Sequence, residues 1–166
     1  MLNATQRDVA NYLTTPATGV SGGTLVAAGA GDNSAIAGAD VNREDFLSGL
    51  FLVVCRATLT ATKKLSVVGT LQDAPDNGSG AAGTYADVAA ALQPAGVAGG
   101  LIGSITSAGG GTVATVFRHP VNLSSLRKFV RLNVTPDLDA GATDTAQVLV
   151  CFVGGGSVVS PNSLLT

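Results

Sequence analysis

The stretch Leu126–Leu138, LRKFVRLNVTPDL, decides how the chain is read. It carries Arg127, Lys128 and Arg131, a third of the nine lysines and arginines in 166 residues. Two readings compete for it: a basic strip that grips phosphates, or a strand charged on one side. The spacing chooses between them. Val130, Leu132 and Val134 fall on one side of a period-two pattern, and Phe129, Arg131, Asn133 and Thr135 fall on the other. That is a strand with one dry face and one wet face. Arg127 and Lys128 precede it in a turn, so only Arg131 lies on its polar side. A single-strand nucleic-acid platform needs a cationic groove interleaved with aromatics, and that pattern is missing here.

Working outward, more strands follow. Downstream lies the apolar run Thr145–Val153. Upstream lie Thr24–Ala28, Ile36–Val41, the long run Phe46–Thr62, then Leu65–Leu71, Leu101–Ser107 and Thr112–Arg118. Turn chemistry separates them: residues 30–34, the cluster PDNGSG at 75–80, Gly99-Gly100, Gly109–Gly111, and a turn at 122–128. Tyr85–Leu92 is Ala-rich, which favours helix, while its Gly and Pro flanks leave strand open. Many short strands punctuated by glycine, with almost no long helical period, predict an all-β fold: an antiparallel β-sandwich, jelly-roll-like. The segment Met1–Gly23 reads as an arm. Thr5 caps a short helix with Asp8 in its first turn, Val9, Tyr12 and Leu13 share one face, and Pro16 ends it. The expected organisation is an arm at 1–23, a sandwich at 24–156 and a tail at 157–166.

Composition narrows the partners. Formal net charge is −2, charged residues are 12%, hydrophobic residues 46%, aromatics 4%, and there is no tryptophan. Nothing in that balance draws the chain to phosphate backbones or anionic lipid. No apolar run reaches the roughly 18 residues of a membrane span, and the N-terminus lacks a basic start followed by an apolar stretch. The expectation is a soluble chain made in a cytoplasm, with neither nucleic acid nor membrane as partner. A surface this poor in charge fits burial against other subunits.

Catalytic chemistry is thinly supplied. His119 is the sole histidine, Cys55 and Cys151 sit in separate apolar runs, and Glu44 is the sole glutamate, beside Asp45. A zinc site needs more nitrogen and sulfur ligands than these, and no Gly-x-Ser-x-Gly elbow presents a nucleophile. Gly29-Ala-Gly31 and Gly109–Gly111 lack the residues that make a phosphate loop. Asp137, Asp139 and Asp144 form a small acidic cluster, short of the spaced ligands that calcium takes. The cysteines read as buried thiols; a disulfide between them requires neighbouring strands. The chain is expected to be no enzyme, with no cofactor and no metal.

The segment His119–Leu138, followed by Thr143–Val150 and Gly154-Gly155, resembles small virion structural proteins of tailed bacteriophages. The shared flavour is a leucine-bearing turn, Arg-Lys-Phe-Val-Arg, Asn-Val-Thr, an acidic loop with glycine, an apolar strand and a Gly-Gly pair. Within that group it is similar to head decoration, or cement, proteins. The resemblance is confined to this C-terminal part of the chain. It implies a β-sandwich subunit on the capsid surface of a virion, with the major capsid protein and copies of itself as partners, a trimer favoured over a dimer, and no catalytic residues. On that reading the arm, through Val9, Tyr12 and Leu13, makes one contact, and the strand around Arg131 makes a second. The rival expectations are a tail or vertex component, a carbohydrate-binding β-sandwich module, a hydrolase that depends on His119, and the shell-forming protein itself.

Overall fold

The alternation read at Val130–Val134 holds in three dimensions. In the computed structural model, which describes residues 24–157 apart from 30, 45 and 140–142, Val130, Leu132 and Val134 are buried, and Arg131, Asn133 and Thr135 face outward. Their strand is one of nine among the described residues: β1 (Leu25–Val26), β2 (Val41–Asn42), β3 (Phe46–Leu59), β4 (Lys64–Ala74), β5 (Ala86–Asp87), β6 (Gly100–Thr106), β7 (Gly111–Asn122), β8 (Phe129–Leu138) and β9 (Thr145–Ser157). Val9, Tyr12 and Leu13 lie outside the described residues.

Every pairing between these strands is antiparallel, in two sheets. One runs β1-β9-β3-β7; the other runs β2-β8-β4, with β5 and β6 sharing the far side of β4. Set the two-residue β5 aside and a rule appears. β1 pairs β9, β2 pairs β8, β3 pairs β7 and β4 pairs β6, so strands pair from the two ends of the chain inward. Rolling that long ribbon adds the β3–β9 and β4–β8 ladders. This is the jelly-roll arrangement of two packed sheets.

The core lies between the sheets. Phe51, Val53 and Cys55 of β3 and Val148, Val150 and Phe152 of β9 face Leu65, Val67 and Leu71 of β4 and Val130, Leu132 and Val134 of β8. The Phe51 and Phe152 rings lie 5.0 Å apart. Gly49 must be glycine, because a Cβ there would sit 2.3 Å from the Phe152 ring.

The structure corrects several boundaries. Of the expected strand Ile36–Val41, only Val41 is in a strand; Ile36 makes an isolated bridge to Val134. β7 runs past Arg118 to Asn122, through Pro120, which an edge strand tolerates because it need not donate outward. β9 continues through Gly154 and Gly155 on β3. The Ala-rich stretch after Tyr85 forms no α-helix. It becomes β5 and a single 3-10 turn at Ala90–Leu92. Gln93 explains why: its buried amide donates to the Leu71 and Val88 carbonyls at 2.9 and 3.2 Å and accepts from Leu71 N at 2.8 Å. The side chain acts as a substitute strand partner for β4 and holds the segment extended.

Candidate assembly surface

β3 is apolar on both sides. Phe51, Val53 and Cys55 enter the core, yet Leu50, Leu52 and Val54 are apolar as well and face outward. An antiparallel sheet with one solvated face ordinarily alternates apolar and polar residues, so a strand apolar on both sides stands out. Its neighbours continue the theme. The registers set Leu50 beside Val153 and Pro120, Leu52 beside Cys151 and Arg118, and Val54 beside Leu149 and Val116. Among the described residues nothing covers this outer face, and Val54 and Val116 are 36% and 46% exposed.

Strand spacing of about 4.8 Å and rise of about 3.3 Å per residue give this three-by-three block an area of roughly 300 Å². That exceeds scattered surface apolarity, but falls well below the about 800 Å² per partner of a standard stable interface. The block has the size of one contact among several. Towards β1 the same face turns polar: Arg56, Thr58, Thr145 and Gln147 line a shallow depression with Thr24. Arg56 and Arg118 have no carboxylate partner among the described residues.

The opposite outer face is built differently. Arg131, the one expected contact residue within the described chain, stacks its guanidinium 3.7 Å from the Tyr85 ring centroid. Its Nε and Nη2 donate to Gln72 Oε1 at 3.1 and 2.9 Å, and Asn133 Nδ2 donates to the same oxygen at 2.8 Å. Gln72 Nε2 reaches Asp87 at 2.8 Å. Burial, with the Asp40 carboxylate nearby, pushes the Tyr85 phenol up. Among the described residues, no group completes a hydrogen bond of ordinary geometry to its buried Oη.

The other cations of the opening stretch are also spent inside the chain. Arg127 grips Asp73 through its backbone N, Nε and Nη2, at 2.8, 2.8 and 2.5 Å. Lys128 bridges Asp76 at 2.8 Å and Glu44 at 3.2 Å. Its ammonium, with the Gly78 and Gly80 amides, holds the Asp76 carboxyl below its ordinary value. The basic stretch is therefore a set of staples between β8, β4 and their loops.

The remaining candidates have structural explanations. His119 points inward and its Nε2 meets the Leu92 carbonyl at 3.0 Å; burial holds its pKa down, so the ring is neutral near pH 7. Cys55 is buried and its thiol is pushed up to about 12. β3 and β9 are neighbours, yet Cys55 faces the core and Cys151 faces out, so the two cannot pair. Asp144, 2% exposed, accepts from Thr60 N and Oγ1 at 2.8 and 2.6 Å. Asp137 takes Asn33 at 3.1 Å, and Asp139 lies 4.0 Å from Lys63. No cluster of metal-ligating residues occurs among the described residues. Neither catalytic groups nor charge mark the outer face of β3; its sequence signal is the outward leucines Leu50 and Leu52, which carry no catalytic chemistry and no charge.

No protein-family model and no curated protein matches the chain. Among solved structures it is similar to that of the infectious bursal disease virus Gx strain, at 16% identity and a TM-score of 0.37, over 86% of this chain and 32% of that one. It is also similar to a chain of the crystal structure of an IBDV viral particle, at 13% identity and a TM-score of 0.23, over 84% of this chain and 32% of that one. The chain thus spans about a third of each. Likeness at that level carries no functional argument.

Proposed function

We propose that the chain is a non-enzymatic structural subunit of a virion, of the bacteriophage decoration type, which binds the outer shell and stabilises it through many symmetric contacts. The observation that carries this reading is the apolar outer face of the β1-β9-β3-β7 sheet, centred on Leu50, Leu52 and Val54. One such face is too small for a tight pairwise complex. Repeated around a closed lattice with copies of itself and the major capsid protein, weak contacts multiply. A trimer is the preferred oligomer in this reading, as in the proteins that the C-terminal segment resembles. Val9, Tyr12 and Leu13 of the arm supply a further contact. Arg131 supplies a weaker one, since Gln72 and Tyr85 already engage its guanidinium.

The test is copy number per purified particle, by quantitative mass spectrometry against the major shell protein. Hundreds of copies are expected. A dozen or fewer would assign the chain to a tail or vertex instead. Deleting residues 1–23 is expected to weaken particle binding; equal binding would remove the arm from the proposal. Glycan binding finds less support, because the described phenylalanines lie in or against the core and Tyr85 lies under Arg131.

A further inference from the structure

β7 is the edge of the β1-β9-β3-β7 sheet farthest from β1, and it runs from Gly111 to Asn122. β3 pairs one side of it; the other side has no backbone partner among the described residues. Pro120 reveals which groups face that open side. It sits in the ladder opposite Leu50 although it has no N–H, so the pair is of the non-hydrogen-bonded kind. The odd-numbered residues of β7 therefore bond to β3. The even-numbered ones, Thr112, Ala114, Val116 and Arg118, aim N–H and C=O away from the sheet. Natural edges are blunted by charge, proline or a bulge, because bare backbone groups template pairing with other chains. β6, at the corresponding edge of the second sheet, has such an irregularity where it pairs with Val67 and Val68. β7 keeps an unbroken register on β3, and from Gly111 to Phe117 it has neither charge nor proline. β6 does not cover it. The Phe117 ring packs on Gly103, where a Cβ would lie 2.3 Å away, and the two strands belong to different sheets.

We propose that this edge pairs with the same edge of a second copy of the chain, antiparallel, about a two-fold axis at Thr115. A two-fold contact must be self-complementary, and this register is. It sets Thr112 opposite the partner's Arg118 and Ala114 opposite the partner's Val116, each pair exchanging two backbone hydrogen bonds. All four outward residues are used, and Pro120 falls just beyond the ladder. Moving the axis to Val116 would put Pro120 opposite the partner's Thr112, where its missing N–H loses a bond. Moving it to Ala114 would run Arg118 opposite the partner's Gly110, outside the strand. Moving it to Arg118 would set two like charges side by side. The side chains agree with the Thr115 axis. On the outer face Ala114 meets Val116, and on the inner face Val113 meets Phe117, both favourable cross-strand pairs. A second copy is the chosen occupant because one sequence satisfies both sides of this ladder without opposing like charges. The contact would join two four-stranded sheets into one of eight strands. It would also bring the apolar outer faces of both copies into one surface of twice the area. The β9 side of the sheet stays free for contacts of other symmetry. The inference does not rest on the virion reading.

The test is a cross-link on the axis. Residues directly opposite in a non-hydrogen-bonded antiparallel pair have Cα atoms about 4.5 Å apart, within the range a disulfide spans. The full chain carrying Cys151→Ser loses its half-buried native thiol and keeps only the buried Cys55. In that background, mild oxidation of Thr115→Cys is expected to give a dimer linked through position 115 of both copies. It would be seen on a non-reducing gel and mapped by peptide mass spectrometry. Thr112→Cys in the same background is the control. Its two copies lie about 20 Å apart in this register, so it should link roughly tenfold less. Linkage at position 115 no greater than the control overturns the inference. Ala114→Pro provides an independent arm that needs no new thiol. It removes one N–H from the open side and none from the β3 ladder, as Pro120 already does, so the melting temperature should stay close to that of the unmodified chain. In sedimentation equilibrium the unmodified chain should dimerise as its concentration rises, and Ala114→Pro should raise the dissociation constant about tenfold. Equal association of the two chains, or an unmodified chain that stays monomeric throughout, overturns the inference.

Discussion

The two outer faces of the sandwich share a fold and a strand length, and they differ in what they do with their side chains. Over β8 and β4, Arg131, Gln72, Asn133 and Tyr85 satisfy one another, and Asp87 and Gly38 N tie them to the loops. Over β9, β3 and β7, leucine and valine stand in rows with nothing above them among the described residues. On the first face the Arg131 guanidinium and the Gln72 and Asn133 amides already have partners within the chain. The second is open because apolar area left in water gains by being covered, at about 25 cal/mol per Å². The difference shows that charge on a strand is a poor guide to which side chains the fold leaves without a partner. Arg127 and Arg131 serve the fold, and the plain aliphatic residues of β3 are the ones left facing outward.

The comparison can be broken from either side. Gln93→Leu should be the most damaging change on the polar side, because it strands Leu71 N and the Val88 carbonyl in a buried site and takes one of its two donors from the Leu71 carbonyl. A loss of about 2–4 kcal/mol is expected, read by urea denaturation. On the open side, Leu52→Asp with Val54→Asp should cost the isolated chain little, about 0.5–1 kcal/mol as surface changes do, yet cut its occupancy on particles tenfold or more. Loss of stability with occupancy intact would reverse the assignment of the two faces. Arg131→Ala should lower stability by about 1–2 kcal/mol through the lost stack and hydrogen bonds, with a smaller loss of occupancy than the Leu52 and Val54 pair.

The smallest effect concerns His119. Its folded pKa lies below its ordinary value of 6.5, chiefly through burial. The stability it contributes is therefore complete above that ordinary value and is lost as pH falls through the lowered one. The melting temperature should decline between pH 7 and pH 5. His119→Gln, which can still donate towards the Leu92 carbonyl, should flatten that part of the curve.

Much of this architecture can be read from the residues. Val130, Leu132 and Val134 define the strand, its dry side and the two-layer class, because side-chain alternation is a local consequence of the pleat. Segments whose state depends on distant partners cannot be read that way. Ala86–Leu92 is extended because Gln93 reaches back to Leu71 on β4, and no local propensity encodes that. The pairing of Arg127 with Asp73, set far apart in the chain, is equally invisible in the local pattern. The apolar face is written plainly in Leu50–Val54. Yet a run of apolar residues does not say which of its two sides lies on the core, so its outward half becomes legible only in the fold.

The inward pairing of strands also has a kinetic consequence. β4 and β6 are joined by the connection 75–99, whereas Leu25 and Ala146 come together only after nearly the whole chain has been placed. Loop-closure entropy rises with separation, and topologies rich in distant contacts fold in milliseconds to seconds. Assembly of the ribbon should proceed from the β4–β6 end outward, with the β1–β9 pair formed last and opened first. During that interval Thr145 and Ala146 of β9 would lack their outer partners, so freshly made chains should be most prone to mispairing there late in folding.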